Sequence, residues 1–144
     1  MKQRYYIAYG SNLSIDQMIE RCPSAKVIGK SIIPNMKPVC MGSGGESYLN
    51  LIFQKGSYSP VGIYSLSKED EVKLDEIETK KYYSKIETNL KVFDFRDKQF
   101  HDYSGFIYLM TSPVTPGKCS ANYINTLIKG YKDFGFNLKL LNSI

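Results

Sequence analysis

The sequence predicts an α+β domain: a small, strongly bent antiparallel or mixed β-barrel with a few flanking helices. Three observations lead there. Aromatic and β-branched residues gather in segments of alternating pattern, as in residues 48–54 and 82–95. Short polar or glycine-containing turns join most of these segments, which pairs them as hairpins. Helical spacing is confined to three short stretches, after the first strand, in the middle and near the end. A chain of 144 residues builds one core, so residues 1–144 are read as one domain.

Taken in order, Tyr5, Tyr6, Ile7 and Ala8 form a short buried strand. Gly10 breaks it, and Ser11 and Asn12 are turn residues that bond to local backbone. Ser14, Ile15, Asp16 and Gln17 have the form of a capping box, so a helix runs over 14–21 until Cys22 and Pro23 stop it. Residues 25–33 make a strand with a bulge at Gly29, closed by Pro34, and residues 38–41 a second short strand. The flexible loop 42–45 is glycine-rich but lacks the Lys-Ser or Lys-Thr of a P-loop. In residues 48–54, Leu49, Leu51 and Phe53 share one face; 55–57 turn the chain and 61–66 return as the hairpin partner.

Ser67 caps the middle helix, whose first turn holds Glu69, Asp70 and Glu71, where carboxylates suit the helix dipole. Val72, Leu74 and Ile77 are its expected inward positions, and it ends near Glu78 and Thr79. Residues 82–95 form a long strand with Ile86, Thr88, Leu90 and Val92 on one face; 96–98 turn, and 100–110 return antiparallel. A loop over 112–117 leads to a helix over 121–134, capped by Ser120, with Tyr123, Leu127, Ile128 and Tyr131 at helical spacing and Gly135 at its left-handed end. The tail 136–144 is expected to dock as a short extra element.

Composition narrows the function. The net charge of +5 comes from dispersed lysines without a recognition motif, which argues against a nucleic-acid partner. No apolar run approaches the roughly 18 residues of a membrane span, and Met1 to Arg4 lead directly into a strand, so a cytoplasmic location is expected. Cys22, Cys40 and Cys119 are odd in number and widely spaced, which argues against a disulfide framework or a zinc site and treats them as small buried apolar residues. The one histidine, His101, falls near a polar turn and reads as a surface residue, so no metal and no cofactor is expected.

Two features carry chemistry. The Gly10-Ser11-Asn12 turn presents successive N–H groups near a helix start, a setting for a carboxylate or an oxyanion, although a plain tight turn has the same residues. Among the acids, Asp75 and Glu76 read as solvated, whereas Glu78 follows Ile77 where the helix gives way to the next strand. A carboxylate aimed from there into a barrel mouth is partly buried, and burial raises its pKa towards a value useful for proton transfer.

Together these segments resemble the gamma-glutamyl cyclotransferase family, which also takes in AIG2-like proteins. Tyr9-Gly10-Ser11-Asn12-Leu13 matches its YGSNL signature, and Arg21 to Ala25 resemble its R-x-P-S-A segment. Residues 52–54 and 61–63 resemble its central hairpin, residues 108–111 its strand before the last helix, and Tyr123, Ile128, Gly130 and Gly135 that helix. Leu74-Asp75-Glu76-Ile77-Glu78 resembles L-D-x-x-E, whose last residue is the family's catalytic glutamate. The resemblance implies attack of a substrate α-amine on its own γ-amide, giving 5-oxoproline and a free amine, without metal or cofactor. It implies Glu78 as the base and Tyr9, Gly10, Ser11, Asn12, Leu13, Tyr83 and Tyr108 as substrate-binding residues. The implied partner is a small γ-glutamyl compound, and the chain is a monomer or a homodimer. Two departures bear on the substrate. Thr79 replaces the family's glycine, and the following segment is shorter, so Tyr82 or Tyr83 stands for its tyrosine. A small-ligand binding protein on the same fold, without turnover, is the alternative.

Overall fold

A computed structural model describes residues 3–111 and 114–144. Its elements are β1 (Arg4–Ala8), α1 (Ile15–Arg21), β2 (Lys26–Ser43), β3 (Glu46–Leu66), α2 (Lys68–Thr79), β4 (Tyr83–Asp94), β5 (Gln99–Met110), β6 (Thr115–Pro116) and α3 (Ala121–Phe134), with 3₁₀ turns at Ser11–Leu13 and Leu138–Leu141. The strands lie in the order β3-β1-β5-β4-β2-β6, and a further β2–β3 pairing closes the first five into a ring. Every pairing is antiparallel except β1 with β5, where Tyr6 lies opposite Phe106. The bent, mixed barrel expected from the hairpin pattern is therefore the observed architecture. The expected loop 112–117 falls partly on residues 112 and 113, which lie outside the described residues; Thr115–Pro116 pairs with β2 at Met41 and Gly42.

The largest correction concerns β2 and β3. Pro34 does not end a strand, and residues 55–57 do not form a hairpin turn. Both fall inside one long hairpin, where the register passes from Pro34↔Tyr58 to Met36↔Phe53. Asn35 (φ 60°) and Gly56 (φ 87°) both adopt the left-handed region there, and the Gly56 N–H donates to Asn35 Oδ1 at 3.0 Å. The two strands bend together at this bulge and the ladder continues beyond it. The real turn is Gly44-Gly45, with φ of 67° and 93°, the two positive values that a tight two-residue hairpin requires.

The middle helix also differs from its pattern. Val72 is 53% exposed, not inward. The buried face of α2 is Asp70, Glu71, Leu74 and Glu78, mostly acidic. Each acid has partners: the Ser24 N–H donates to Asp70 at 2.8 Å, Arg4 and Lys85 bind Glu71, and Glu78 faces the site described below. Hydrogen bonds from Ser24 and Lys73 hold Asp70, and those from Arg4 and Lys85 hold Glu71, below the usual carboxylate range against the opposing effect of burial. The caps follow the sequence: Ser14, Ser67 and Ser120 each accept a backbone N–H at a helix start, and Gly135 ends α3 at φ 73°.

Cys40 and Cys119 are buried as expected but are bonded to one another, with Cα atoms 5.8 Å apart. This corrects the reading of unpaired cysteines; Cys22 is the buried free thiol. The bond ties β2 to the segment before α3, and the Gly117 N–H donates to the Cys40 carbonyl beside it at 2.9 Å. The disulfide spans 79 residues, and a closed loop of that length constrains the unfolded chain. Reduction, or a Cys40→Ala/Cys119→Ala double variant, is expected to lower unfolding free energy by about 2–4 kcal/mol. Urea titrations with and without reductant check this. Among the described residues no helix is long and apolar enough to cross a membrane.

Candidate active site

One end of the barrel gathers the residues that carry chemistry. The chain leaves β1 through Tyr9 and Gly10 into the Ser11–Leu13 turn, which returns its side chains towards the end of α2. Tyr6 from β1, Tyr108 from β5, Tyr83 from β4 and Tyr123 from α3 wall the pocket with Tyr9. Glu78 reaches in from the last turn of α2, and Tyr48 and Lys81 stand at the half-exposed side.

Asn12 organises the centre. Its Nδ2 donates to Glu78 Oε1 and to the Tyr6 hydroxyl, each at 3.0 Å. Its Oδ1 accepts from Gln17 Nε2 and Arg21 Nη1, each at 3.0 Å. A carboxylate accepts and a guanidinium donates, so only this amide orientation serves both neighbours. Gln17 belongs to the expected capping box, and its backbone N–H does donate to Ser14 Oγ at 3.4 Å; its side chain turns instead to Ser11 and Asn12. The Tyr64 hydroxyl donates to the Asn12 carbonyl at 2.7 Å, holding the turn from below.

Glu78 is 6% exposed. Burial raises its pKa above the ordinary carboxylate value, while Lys81, Arg21 and the Asn12 hydrogen bond oppose the rise. Arg21 Nη1 lies 3.8 Å from its Oε1. The tyrosines are shifted the other way from usefulness as bases. Burial pushes Tyr6, Tyr9, Tyr83 and Tyr108 well up, and Tyr123 to about 12. Among the carboxylate and tyrosine side chains that line the pocket, Glu78 is thus the one whose shift brings it closer to neutral pH. Three hydroxyls are committed outward: Tyr9 to the Tyr108 carbonyl at 2.6 Å, Tyr83 to the Leu49 carbonyl, and Tyr108 to Asp75 Oδ1 at 2.6 Å. With their protons so committed, these hydroxyls can only accept from a further partner. The Tyr123 hydroxyl accepts the Leu49 N–H at 3.0 Å and keeps its own proton to donate.

The structure places Tyr9, Gly10, Ser11, Asn12, Glu78, Tyr83 and Tyr108 around one pocket. Leu13 is not among them. Its side chain is fully buried in the core, and its N–H is spent on the Gly10 carbonyl at 3.0 Å. Of the two candidate tyrosines, Tyr83 lines the pocket; Tyr82 is exposed, at φ 72°, and donates to the Ser43 carbonyl at 2.8 Å. Thr79 remains helical, its hydroxyl bonded to the Asp75 carbonyl at 2.8 Å. Sequence reasoning missed Tyr6, Tyr48, Lys81, Arg21 and Tyr123 as site residues. Arg21 and Tyr123 were in matched segments, and Lys81 lies three residues past Glu78.

The pocket is narrow. It encloses about 350 Å³ including its open mouth. A larger groove between β2, β4 and the C-terminal tail is lined by Ile32, Phe93, Phe100 and Phe136 and has no carboxylate, so it offers no base. Among the described residues no group of three His, Cys, Asp or Glu is placed to hold a metal.

No protein-family model and no curated protein matches the chain. Solved structures do. A structure titled gamma-glutamyl cyclotransferase superposes with a TM-score of 0.83 at 23% identity, covering 99% of this chain and 89% of its own. An uncharacterized protein from Homo sapiens gives 0.79 at 23% identity, covering 100% of this chain and 89% of its own. An AIG2-like protein from Mus musculus gives 0.54 at 15% identity, over 86% of this chain and 84% of its own. The chain thus has a gamma-glutamyl cyclotransferase-like fold.

Proposed function

We propose that the protein cyclises the γ-glutamyl group of small γ-glutamyl amides, releasing 5-oxoproline and an amine. The observation that carries this reading is the buried Glu78 carboxylate, held by Asn12 of the turn and opening on a tyrosine-walled pocket. The likeness to the structure titled gamma-glutamyl cyclotransferase supports it.

The chemistry needs one relay. The substrate's α-ammonium gives up a proton and its nitrogen attacks the γ-carbonyl carbon, forming the five-membered ring and a tetrahedral oxyanion. Collapse breaks the original C–N bond. Two protons leave the attacking nitrogen and two reach the departing one, so no net acid, base or water is consumed. Glu78 as carboxylate takes a proton and, as acid, returns it to the leaving nitrogen. Tyrosine oxygens with outward protons suit an ammonium. The Tyr123 hydroxyl, which keeps a proton to donate, suits a carboxylate or the developing oxyanion. Holding amine and carbonyl together supplies much of the rate.

The test is a panel of γ-glutamyl amides with 5-oxoproline followed by mass spectrometry. Product supports the reading; tight binding of a γ-glutamyl compound without product favours a non-catalytic binding protein. The pH profile is a second check. Because the working form is the carboxylate and burial raises its pKa, kcat/KM is present above that pKa and lost as pH falls through it. The acid limb is expected above the ordinary glutamate value of about 4.3. A limb at or below that value would remove Glu78 as the base.

A further inference from the structure

The Cys40–Cys119 bond stands behind the pocket wall. Cys40 lies opposite Leu49 across the β2–β3 ladder. Both backbone polar groups of Leu49 turn away from β2 and hold pocket tyrosines: its N–H donates to the Tyr123 hydroxyl at 3.0 Å, and its carbonyl accepts the Tyr83 hydroxyl. Cys40 and Leu49 are thus a non-hydrogen-bonded pair, the kind whose side chains lie closest. Cys119, the other end of the bond, directly precedes Ser120, the cap of α3, and the Tyr123 N–H donates to Ser120 Oγ at 3.1 Å. One covalent bond therefore links the two segments whose contact, Leu49 with Tyr123, forms that wall. Little else holds the start of α3. Of residues 115–120 only Cys119 is buried. The ladder there is two residues long, Thr115 and Pro116 against Gly42 and Met41, with one further bond from the Gly117 N–H to the Cys40 carbonyl. The buried residues of α3 begin at Leu127, so its first turn is anchored by the partly buried Tyr123 and Ile124 and by the Cys119 bond.

We infer that this disulfide is a redox-controlled latch on the pocket. Bonded, it holds the first turn of α3 and Tyr123 against Leu49. Reduced, it lets that wall open while the barrel stays folded, because the ring of five strands closes without residues 115–120. The inference concerns the wall and is independent of the reaction the pocket performs. A dithiol supplies the two electrons. Its thiolate attacks Cys119 Sγ, the S–S bond breaks, and the electron pair leaves with Cys40, which takes a proton. The second thiol of the reagent then displaces Cys119 as a thiol and closes the reagent's own disulfide. Cys119 is the more exposed end, 8% against 4% for Cys40. Cys22 does not compete as the attacking group. It is buried against α2, where its thiol donates to the Asp70 carbonyl at 3.5 Å, and burial pushes that thiol up to about 11.

The experiment treats the folded protein with dithiothreitol, maps alkylated cysteines by mass spectrometry and follows amide hydrogen exchange across sub-denaturing urea. Cys40 and Cys119 are expected to become alkylated together, and oxidised glutathione to restore the bond. Two amides report the wall: Leu49, bonded to Tyr123, and Ile124, whose N–H donates to the Ser120 carbonyl at 3.0 Å. Both are expected to exchange about 10- to 100-fold faster after reduction, at a rate that urea barely changes, the mark of local opening. Loss of the cross-link also lowers global stability, but amides of the β4–β5 ladder, which report that loss, should keep a steep urea dependence. Cys40→Ala/Cys119→Ala is expected to show the reduced pattern without reagent and to ignore dithiothreitol. The treatment of wild type stands by itself if this variant does not fold. Failure of the bond to form under oxidised glutathione, or a bond that resists dithiothreitol until the protein unfolds, overturns the inference. So do Leu49 and Ile124 amides that keep their unreduced rates or follow the urea dependence of the ladder.

Discussion

Replacing Glu78 by Gln is expected to lower 5-oxoproline formation by roughly 10²- to 10⁴-fold, the usual contribution of a positioned acid–base group. The amide has the carboxylate's shape, and its oxygen can still accept from Asn12 Nδ2, so substrate affinity should change little. Stability should move the other way. Burial holds the folded pKa of Glu78 above its unfolded value. The unfolded chain therefore gives up this proton more readily, and the penalty for folding with the carboxylate charged grows as pH rises from the unfolded to the folded pKa and is full above it. The penalty is absent below the unfolded value. Glu78→Gln should thus have the higher urea midpoint at neutral pH, with the gap closing on acidification. Equal turnover by the variant would dismiss Glu78 as the base. A lower midpoint at neutral pH would mean that Arg21 and Asn12 outweigh the cost of burial.

Gly130→Ala tests how α3 builds the turn. An alanine in a helix interior normally gains about 1 kcal/mol over glycine. Here a Cβ would lie 2.5 Å from Leu13 Cβ and 2.6 Å from both the Leu13 carbonyl carbon and the Ser14 nitrogen. Two of the three are backbone atoms, which cannot rotate away. Overpacking of this kind costs about 1–3 kcal/mol, so the contact is expected to win over the propensity and the variant to be less stable. Because α3 must draw back from the Ser11–Leu13 turn, Asn12 should also lose its grip on Glu78, and kcat/KM should fall with an acid limb displaced upward. A variant as stable and active as wild type would show that α3 does not set the turn.

What could be read from the sequence were features whose signals are local. The caps at Ser14, Ser67 and Ser120, the Gly135 terminus and the turn after β1 each depend on a few adjacent residues. The helix end next to Ile77 only drew attention to Glu78; its choice as the base rests on the likeness of residues 74–78 to the L-D-x-x-E segment. The continuity of β2 and β3 was not, because Pro34 and Gly56 look locally like strand ends. Only their cross-strand position shows that the bulge of one meets the bulge of the other. The Cys40–Cys119 bond joins residues far apart in the chain, and spacing says nothing about that. Lys81 escaped notice because a lysine next to another lysine reads as solvated surface until the pocket is seen.

The ring of strands also dictates an order of assembly. β1, which leads into the turn, pairs with β3 and β5, and the turn itself packs beneath Gly130 of α3. Contacts so distant in sequence must wait for loop closure, which slows folding. On the ribosome the YGSN segment is made before α3, yet its shape depends on that helix, which emerges more than a hundred residues later. A nascent chain can thus hold the β2–β3 hairpin while its pocket does not yet exist. Catalytic competence should appear late, together with the docking of α3 and not gradually with chain length.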